Sequence, residues 1–350
     1  MSETMRAVRI TGHGGTEVLG PVRVPVPEPR ADEVLVRVAA VALNNTDLWT
    51  REGAYGRPGD PDALSGWRGP VDFPRIQGAD VAGRIAAVGA RVAGDAVGRR
   101  VVVDPAVYDS DGPDANPVGL MGSERDGGYA EYVTAPAGRV HDVTDSPLTD
   151  DQLAALPTAY GTALGMVERA RLAKGETALV SGASGGVGLA LVQIARARGA
   201  RVLAISSGAK ADAVREAGAH TVVDRGRDLG GQLRAAAPEG VDVALDVVAG
   251  DLLAEGLPLL REGGRWVVAG ALGGYGVAFD VRRLYLHNAQ LIGSAMHTPR
   301  HFGLLMDLAR RGALRPVIAA AFPLEQAARA QERLAARSHV GKIVLHPRAA

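Results

Sequence analysis

The chain contains no cysteine. That absence excludes disulfides, thiolate nucleophiles, iron–sulfur clusters and every zinc site built on cysteine ligands. No charge of one sign dominates either, because 39 basic residues balance 39 acidic ones, so a general binder of nucleic acids or of anionic membranes is disfavoured. The longest run without a charged residue, 177–195, is interrupted by four glycines. We therefore expect strand, turn and helix there instead of a membrane span.

The length and the start of the chain suggest a cytoplasmic protein with two domains. At roughly 100–200 residues per domain, 350 residues predict two. Met1–Ile10 lacks the apolar core of a secretory signal. Up to about residue 155 the chain is mostly β, with predicted strands at Val34–Val41, Val81–Val88 and Val101–Val103.

Two polar segments rich in glycine, proline and aspartate interrupt this first part. They are Gly56–Asp72 and Asp104–Gly127. Both are predicted to be long loops, and loops of that length inside a domain tend to be functional or mobile. We expect Gly56–Asp72 to form part of the substrate entrance.

From about residue 157 predicted strands and helices alternate. The strands are Ala178–Val180, Arg201–Ser206, Thr221–Val223, Val241–Val248, Arg265–Ala269 and Gln290–Gly293, and the helices are Gly186–Arg198, Lys210–Ala217 and Leu252–Leu260. This alternation predicts right-handed βαβ units and a parallel, doubly wound sheet, hence an α/β protein. Two helices, Arg300–Arg311 and Leu324–Ala336, and a last strand, Lys342–Leu345, are predicted to follow.

A glycine-rich segment follows the first of these strands and opens a helix. It reads Ser181-Gly182-Ala183-Ser184-Gly185-Gly186-Val187-Gly188. This is the context of a dinucleotide fingerprint, although Ala183 stands where its first glycine is usual. The amides and the positive dipole end of the helix suit a pyrophosphate. The predicted cofactor contacts are Ser184, Gly185, Gly186, Val187 and Gly188, and the alternative is a glycine-rich turn without a ligand.

The end of the second strand predicts which nicotinamide cofactor is bound. Enzymes that use NAD typically carry an acidic residue there, which binds the ribose 2′-hydroxyl. This chain has Ser206, Ser207 and Lys210 instead. Hydroxyl donors and an ammonium suit a 2′-phosphate, so these residues predict NADPH. The alternative is that Lys210 is simply a solvated residue at the start of a helix.

Several further motifs occur in a fixed order along the chain. They are Asn44-Asn45-Thr46-Asp47 with Arg51, Gly53 and Tyr55; Gly78-Ala79-Asp80-Val81-Ala82-Gly83 with Val88-Gly89; Gly127-Gly128-Tyr129-Ala130-Glu131-Tyr132-Val133; Thr158-Ala159-Tyr160; and Gly341-Lys342. Through them, residues 5–346 resemble the medium-chain dehydrogenase/reductase superfamily, and most closely its zinc-independent quinone oxidoreductase branch. The resemblance implies a GroES-like catalytic domain of residues 1–155 and 297–350, with a Rossmann domain of residues 156–296.

The resemblance also implies that no zinc is bound. Zinc alcohol dehydrogenases carry a cysteine near the position of Asn44 and a Gly-His-Glu where this chain has Gly78-Ala79-Asp80. Asp47 and Asp80 alone would make a poor zinc site. We expect both carboxylates to be structural instead, accepting hydrogen bonds from backbone amides or from Arg51. The histidines are scattered, and each is expected on the surface or in the core.

In such an enzyme, hydrogen-bond donors polarise the substrate carbonyl. The expected donors are the Asn44 amide and the Tyr55 hydroxyl, with Trp49, where relatives often have tyrosine, as an apolar wall. The alternatives are a turn-capping role for Asn44 and core packing for the two aromatic residues.

Further cofactor contacts are expected by resemblance, with the nicotinamide in the cleft between the domains. They come from Thr158, from Val248 and Gly270-Ala271-Leu272 at strand ends, from Arg225 and from Lys342, for which a surface position is the alternative. Asp224 would disfavour a 2′-phosphate unless Arg225 compensates its charge.

The resemblance as a whole implies an NADPH-dependent reductase of quinones or α,β-unsaturated carbonyls. The alternatives are a zinc alcohol dehydrogenase, a zinc-free alcohol or aldehyde dehydrogenase, and a weakly catalytic NADPH-binding regulatory or RNA-binding protein. We expect a small-molecule substrate, no nucleic-acid or membrane partner, and a homodimer formed through a sheet edge at Trp266–Val281.

Overall fold

The computed structural model describes residues 3–56 and 62–347. Its strands are β1 (Thr4–Ile10), β2 (Leu19–Pro25), β3 (Glu33–Ala42), β4 (Arg75–Ile76), β5 (Asp80–Val88), β6 (Arg100–Val103), β7 (Ala106–Tyr108), β8 (Pro117–Leu120), β9 (Tyr132–Pro136), β10 (Val140–Asp142), β11 (Thr177–Val180), β12 (Arg201–Ser206), β13 (Thr221–Asp224), β14 (Val241–Asp246), β15 (Leu260–Val268), β16 (Gln290–Gly293), β17 (Ile318–Pro323) and β18 (Lys342–His346). Its α-helices are α1 (Asn45–Glu52), α2 (Asp150–Ala154), α3 (Pro157–Arg169), α4 (Gly186–Ala197), α5 (Ala211–Glu216), α6 (Leu229–Ala236), α7 (Asp251–Gly256), α8 (Arg282–Tyr285), α9 (Pro299–Arg310) and α10 (Ala327–Ala335). None of the helices in these ranges has the length and apolar character needed to cross a bilayer.

The chain divides into two units. The first joins the residues up to Thr158 to those from Phe302 onward, and the second is Ala159–His301. The first unit is therefore built from two separate segments of the chain, and its C-terminal segment contributes β17 and β18.

The first unit is β-rich. Its largest sheet has the strand order β10-β6-β5-β3-β18-β17, and β9 also pairs with β3. The β-branched run of β3 lies at the centre of this sheet, where Val36 and Val41 are fully buried. A smaller sheet has the order β2-β1-β4. These sheets enclose one core, dominated by valine, into which Tyr129 and Leu345 also pack.

The second unit is a Rossmann fold. Its six parallel strands have the order β13-β12-β11-β14-β15-β16. The predicted α/β fold with a doubly wound parallel sheet and a separate β-rich unit is confirmed. In such sheets ligands bind beyond the carboxyl ends of the strands, which here are the ends of β11, β12, β14 and β15.

Two local predictions are wrong. The Asp104–Gly127 segment is not a loop throughout, because β7 and β8 pair within it as an antiparallel hairpin. The Trp266–Val281 segment is not the sheet edge, because β15 pairs with β14 on one side and with β16 on the other. The edge strand is β16.

The predicted Gly56–Asp72 loop is described only in part, since residues 57–61 lie outside the described ranges. Beyond them it runs back along the first unit. The Ser65 amide donates to the Gly53 carbonyl at 3.1 Å, and the Trp67 amide donates to the Ser123 hydroxyl at 2.9 Å.

Candidate active site

Three strand ends meet in the first unit and bring polar side chains together. In the sheet, Ala42 at the end of β3 lies opposite Asp80 of β5 on one side and Val344 of β18 on the other. Lys342, the first residue of β18, is thereby placed beside the β3–α1 junction. Gly341 precedes it with a φ of +91°, and a Cβ atom there would lie 2.3 Å from the Val317 carbonyl oxygen. Only glycine fits that turn, which explains the Gly341-Lys342 pair.

The Lys342 side chain is buried, with 5% of the residue exposed. Its ammonium donates to the Leu43 carbonyl at 2.7 Å, to Asn44 Oδ1 at 2.5 Å and to Asp80 Oδ2 at 3.3 Å. The surface position considered for Lys342 is therefore wrong. Its three protons are all donated to protein acceptors, so a contact with cofactor would require one of these bonds to break.

Asp80 and Asp47 are structural carboxylates, as expected. Asp80 Oδ1 accepts from both the amide and the hydroxyl of Thr158, at 2.8 and 2.5 Å. The Asp47 carboxylate accepts from the amides of Asn44 at 2.7 Å and Gly78 at 3.2 Å. The predicted contact of Thr158 with the nicotinamide stays a prediction. Because the hydroxyl proton is donated to Asp80, the hydroxyl oxygen is left as an acceptor for such a contact.

Burial raises the pKa of Asp47 to about 7. The hydrogen bond from the Asn44 amide opposes this rise, and the nearby Asp80 carboxylate adds to it. Burial also lowers the pKa of Lys342, against the attraction of Asp80 and Asp47. A buried carboxyl that titrates near neutrality gives this site a charge that depends on pH.

Arg51 does not bind either carboxylate. Its Nε donates to Gln331 Oε1 at 2.8 Å, and the Gln331 side chain donates in turn to Gln77 at 2.9 Å. Gln77 closes the series by donating to the Asp47 carbonyl at 2.7 Å. These glutamines connect α1 to α10, and no short motif in the sequence pointed to them.

Asn44 is the N-cap of α1, and Tyr55 lies just beyond the end of that helix. The capping role weighed as the alternative for Asn44 is therefore observed. The Tyr55 and Trp49 rings meet edge to face with their centroids 5.5 Å apart, and both residues are half-buried. The Tyr55 hydroxyl is hydrogen-bonded to the Thr46 side chain, and burial raises its pKa above the ordinary value. Tyr55 consequently remains a protonated donor at neutral pH.

The residues around Lys342 do not fit a zinc ion. Their donors are a backbone carbonyl, an amide oxygen and one carboxylate, whereas zinc sites use histidine, cysteine or several carboxylates. The position between these oxygens is filled by the ammonium itself. Over residues 3–56 and 62–347 no group of three or more histidine, aspartate and glutamate side chains could hold a metal.

In the second unit the glycine-rich segment forms the turn between β11 and α4. Gly182 has a φ of +56°, and a Cβ atom on Gly188 would lie 2.1 Å from the Gly182 carbonyl oxygen. Gly185, the N-cap of α4, is exposed, and a Cβ atom there would lie 3.5 Å from the Gly182 carbonyl oxygen. The first amides of α4 have no partner within the helix, so this end fits the phosphates of a dinucleotide.

The end of β12 carries the residues predicted to select the cofactor. The Ser206 hydroxyl is buried and, among the described residues, has no hydrogen-bond partner. Burial and the nearby Arg225 guanidinium lower the pKa of Lys210. The end of β12 is thus electropositive. The ion pair of Asp224 is with Arg227, at 3.7 Å, so the compensation expected from Arg225 is supplied by a different arginine.

The comparisons with known proteins agree with these two units. Residues 30–145 match the alcohol dehydrogenase GroES-like domain, and residues 186–311 match the zinc-binding dehydrogenase family. Quinone oxidoreductase from Mus musculus is 34% identical, over 97% of this chain and 97% of that protein. The chain belongs to the medium-chain dehydrogenase/reductase superfamily. It is an oxidoreductase of the quinone oxidoreductase-like kind.

Solved structures of this superfamily superpose closely. A protein from Sinorhizobium meliloti 1021, provisionally assigned as an alcohol dehydrogenase, is 45% identical with a TM-score of 0.95, over 99% of this chain and 97% of that one. The 2-octenoyl-CoA carboxylase reductase CinF, solved with NADP and 2-octenoyl-CoA, is 26% identical with a TM-score of 0.86, over 99% and 88%. Among the solved relatives, one that is 31% identical to this chain is described as an NAD-dependent alcohol dehydrogenase, and CinF was solved with NADP.

In this medium-chain dehydrogenase/reductase, a buried network that the sequence motifs did not reveal supports the predicted nicotinamide loops. The Asp246 carboxylate accepts from the Ser181 hydroxyl at 2.6 Å, from the amides of Val248 and Ala249, and from Trp266 Nε1 at 2.9 Å. The sequence signal that could have revealed this network was Asp246 itself, an aspartate at the carboxyl end of a buried strand.

The predicted contacts Val248, Gly270, Ala271 and Leu272 lie in two loops that are joined to each other. The Leu272 amide donates to the Val247 carbonyl at 3.4 Å, and the Gly273 amide donates to the Val248 carbonyl at 2.7 Å. These bonds lie beyond the carboxyl ends of β14 and β15, where the superfamily's cofactor crevice is expected. Direct contact of the four residues with the cofactor stays a prediction.

Proposed function

We propose that this chain is a zinc-independent, NADPH-dependent reductase of quinones or α,β-unsaturated carbonyls. The observation that carries the proposal is the Lys342 ammonium, held between Asn44 Oδ1 and Asp80 Oδ2 in the first unit. A lysine in that position places an ammonium where a metal would otherwise be bound, which favours polarisation of the carbonyl by hydrogen-bond donors.

The nicotinamide cofactor would supply the hydride. The Asn44 amide and the Tyr55 hydroxyl would donate to the carbonyl oxygen as it gains negative charge. The raised pKa of Tyr55 keeps its proton available for that hydrogen bond. For an enone, hydride goes to the β-carbon, and Tyr55 or solvent protonates the α-carbon. For a quinone, transfer of the hydride and of one proton together gives the hydroquinone.

The preference for NADPH rests on Lys210 and Arg225. Their mutual repulsion would be relieved by a 2′-phosphate between them, and the Ser206 and Ser207 hydroxyls are further donors. Asp224 opposes this preference, because its carboxylate would repel a 2′-phosphate at the end of β12. One carboxylate oxygen lies 3.0 Å from the position that a Cβ atom on Gly208 would take. Arg227 offsets part of that charge.

The first experiment follows oxidation of NADPH and of NADH with benzoquinone, phenanthrenequinone and a simple enone, with and without a chelator. We expect turnover that is insensitive to the chelator and has a higher kcat/KM with NADPH. Stoichiometric zinc together with inhibition by the chelator would refute zinc independence, and a higher kcat/KM with NADH would refute the cofactor preference. Tight NADPH binding without turnover of any substrate would favour a regulatory protein.

Matched variants test which residues produce the preference for NADPH over NADH. Lys210→Ala should lower kcat/KM for NADPH by about 10-fold and leave NADH unchanged, because a charge-assisted bond to the 2′-phosphate is lost. Asp224→Ala should shift the ratio toward NADPH. Lys174→Ala, an exposed lysine of the same unit, is the control.

A second candidate is a zinc-free alcohol or aldehyde dehydrogenase, favoured by the provisional assignment of the Sinorhizobium meliloti structure. The same two donors could polarise an isolated carbonyl. Aldehydes with NADPH and alcohols with NADP⁺, assayed beside the quinones and the enone, separate the two candidates by kcat/KM.

We also propose a homodimer formed through β16. This strand pairs only with β15 among the described strands, and its neighbourhood exposes apolar side chains, with Leu286 64%, Tyr285 62% and Leu291 42% exposed. An open apolar edge is an aggregation hazard unless it is covered. Light scattering should give a dimer for the wild type and a monomer for Leu291→Lys. A monomeric wild type would refute the proposal.

A further inference from the structure

Lys342 is the one lysine of the first unit, and it lies in the candidate active site without facing solvent. An ammonium carries three donors and no acceptor. The atom that Asn44 presents to it, at 2.5 Å, must therefore be the amide oxygen. A flipped amide would place two donors against each other. Lys342 and the Asp47 amide that Asn44 caps thus both require the same orientation of the Asn44 side chain.

The NH2 group of Asn44 is consequently turned away from Lys342. Its hydrogen bond to the described residues is a long one, to the Ala42 carbonyl at 3.4 Å. At that length the bond is weak, and at least one N–H proton remains for another acceptor. This is the proton that the proposed function needs at the substrate carbonyl.

The other groups around Lys342 would favour the opposite orientation if the ammonium were absent. The Leu43 carbonyl and Asp80 Oδ2 are both acceptors. Without the ammonium, the Asn44 oxygen would be held only by the Asp47 amide that it caps, and the two acceptors would draw the NH2 group inward, away from a substrate carbonyl. The ammonium also balances the charge of Asp80, whose remaining donors are the amide and hydroxyl of Thr158.

We propose that Lys342 is a positioning residue, an internal cation that holds the Asn44 amide with its NH2 group available to the substrate. The proposal rests on the proposed function, because it acts through Asn44 as carbonyl donor. It assigns Lys342 no contact with substrate or cofactor.

A double-mutant cycle tests the proposal. Asn44→Ala, Lys342→Met and the double variant are compared with wild type, and Lys174→Met is the control. We expect Lys342→Met to lower kcat by about 10²-fold, as expected for a misplaced donor, with the KM for NADPH unchanged. In the Asn44→Ala background the second substitution should change kcat by less than about 2-fold, because the donor it orients is gone.

Chemical rescue supplies a second readout. In Lys342→Ala, methylammonium chloride should restore part of kcat, whereas sodium chloride at equal ionic strength should not. A purely structural lysine would give equal responses to the two salts.

The outcomes separate the two proposals. Wild-type kcat in Asn44→Ala refutes the donor role on which the proposed function depends. An impaired Asn44→Ala together with an unimpaired or additive Lys342→Met overturns the positioning role alone. If the Lys342 variants do not fold, lysine-¹⁵N NMR of the wild type replaces them, since the chain has only three lysines. One ammonium signal should be protected from exchange and shift in Asn44→Ala, and its absence at neutral pH overturns the proposal.

Discussion

The buried Asp47 carboxyl makes the stability of the first unit depend on pH in an unusual direction. Most carboxylates that form hydrogen bonds have a lowered pKa in the folded state and stabilise it as pH rises. Asp47 is different, because burial raises its pKa to about 7. Between its ordinary pKa and this value the folded chain holds a proton that the unfolded chain has released. Stability therefore falls as pH rises through that window.

The magnitude follows from the size of the shift. A rise from 3.8 to about 7 is roughly 3 units, and each unit is worth about 1.4 kcal/mol. Asp47→Asn removes the titration and keeps the shape of the side chain. The free energy of unfolding of the wild type, minus that of the variant, should fall by about 4 kcal/mol between pH 4 and pH 7 and be flat above pH 7. Asp80, Lys342 and Tyr129 face the same group, so the titration will be spread over the cluster.

The assay is denaturant unfolding at several pH values, followed by tryptophan fluorescence. Trp49 and Trp67 report on the first unit, and Trp266 reports on the second. Asp109→Asn is the contrasting variant in the same unit, because hydrogen bonds from Asn116 lower the pKa of this exposed carboxylate. The free energy of unfolding of the wild type, minus that of Asp109→Asn, should therefore rise with pH where Asp109 titrates, opposite to the fall expected for Asp47→Asn. If the wild-type free energy of unfolding minus that of Asp47→Asn stays constant or rises between pH 4 and pH 7, burial does not raise the pKa of Asp47 as argued.

Three further predictions concern the donors, the nicotinamide loops and the polar loop. Tyr55→Phe should lower kcat for enones by roughly 10²-fold and for quinones by less, because only enones need a proton at carbon. Equal losses would contradict the assignment of Tyr55 as the acid that protonates the α-carbon. Trp266→Phe leaves Asp246 Oδ2 without its indole donor, so it should lower the unfolding free energy of the second unit by about 1–3 kcal/mol and weaken NADPH binding. Denaturant unfolding and cofactor titration measure the two effects. An unchanged affinity for NADPH would show that the Asp246 network does not support cofactor binding. Deleting Pro58–Gly69, part of which lies outside the described residues, should change the KM for quinones but not for NADPH; an unchanged substrate profile would make the loop a surface feature.

Several regular elements, mostly of the second unit, could be predicted because local pattern determines them, whereas β1, β2 and β17 of the first unit were not predicted. Arg201–Ser206 and Gln290–Gly293 are strands with the bounds expected from their apolar runs. The turn before α4 was likewise predictable, since glycine spacing in the chain directly reflects a close approach between backbone segments.

What could not be predicted depends on contacts distant in sequence. Lys342 opens a terminal strand, and only the pairing of β18 with β3 reveals that it points to residues about 300 positions earlier. Asp246 and Trp266 are individually unremarkable until the sheet brings the carboxylate to the indole. Arg227, not its neighbour Arg225, pairs with Asp224 because the turn after β13 determines which side chain reaches back. Such choices depend on three-dimensional register, which local propensity does not encode.

The division of the first unit into two segments has a consequence for how the protein is made. During synthesis the Rossmann unit is finished while the donor site still lacks β18, which comes from the last part of the chain. Until that strand arrives, Val41 and Ala42 at the end of β3 lack their partner strand and Asp80 has no ammonium beside it. If Lys342 positions Asn44 as proposed, a nascent chain that stops before it would contain the whole Rossmann unit but would lack the residue that orients the carbonyl donor. Such a chain would also lack Ile343 and Leu345, which belong to the core of the first unit, so it would leave apolar side chains uncovered and prone to aggregation.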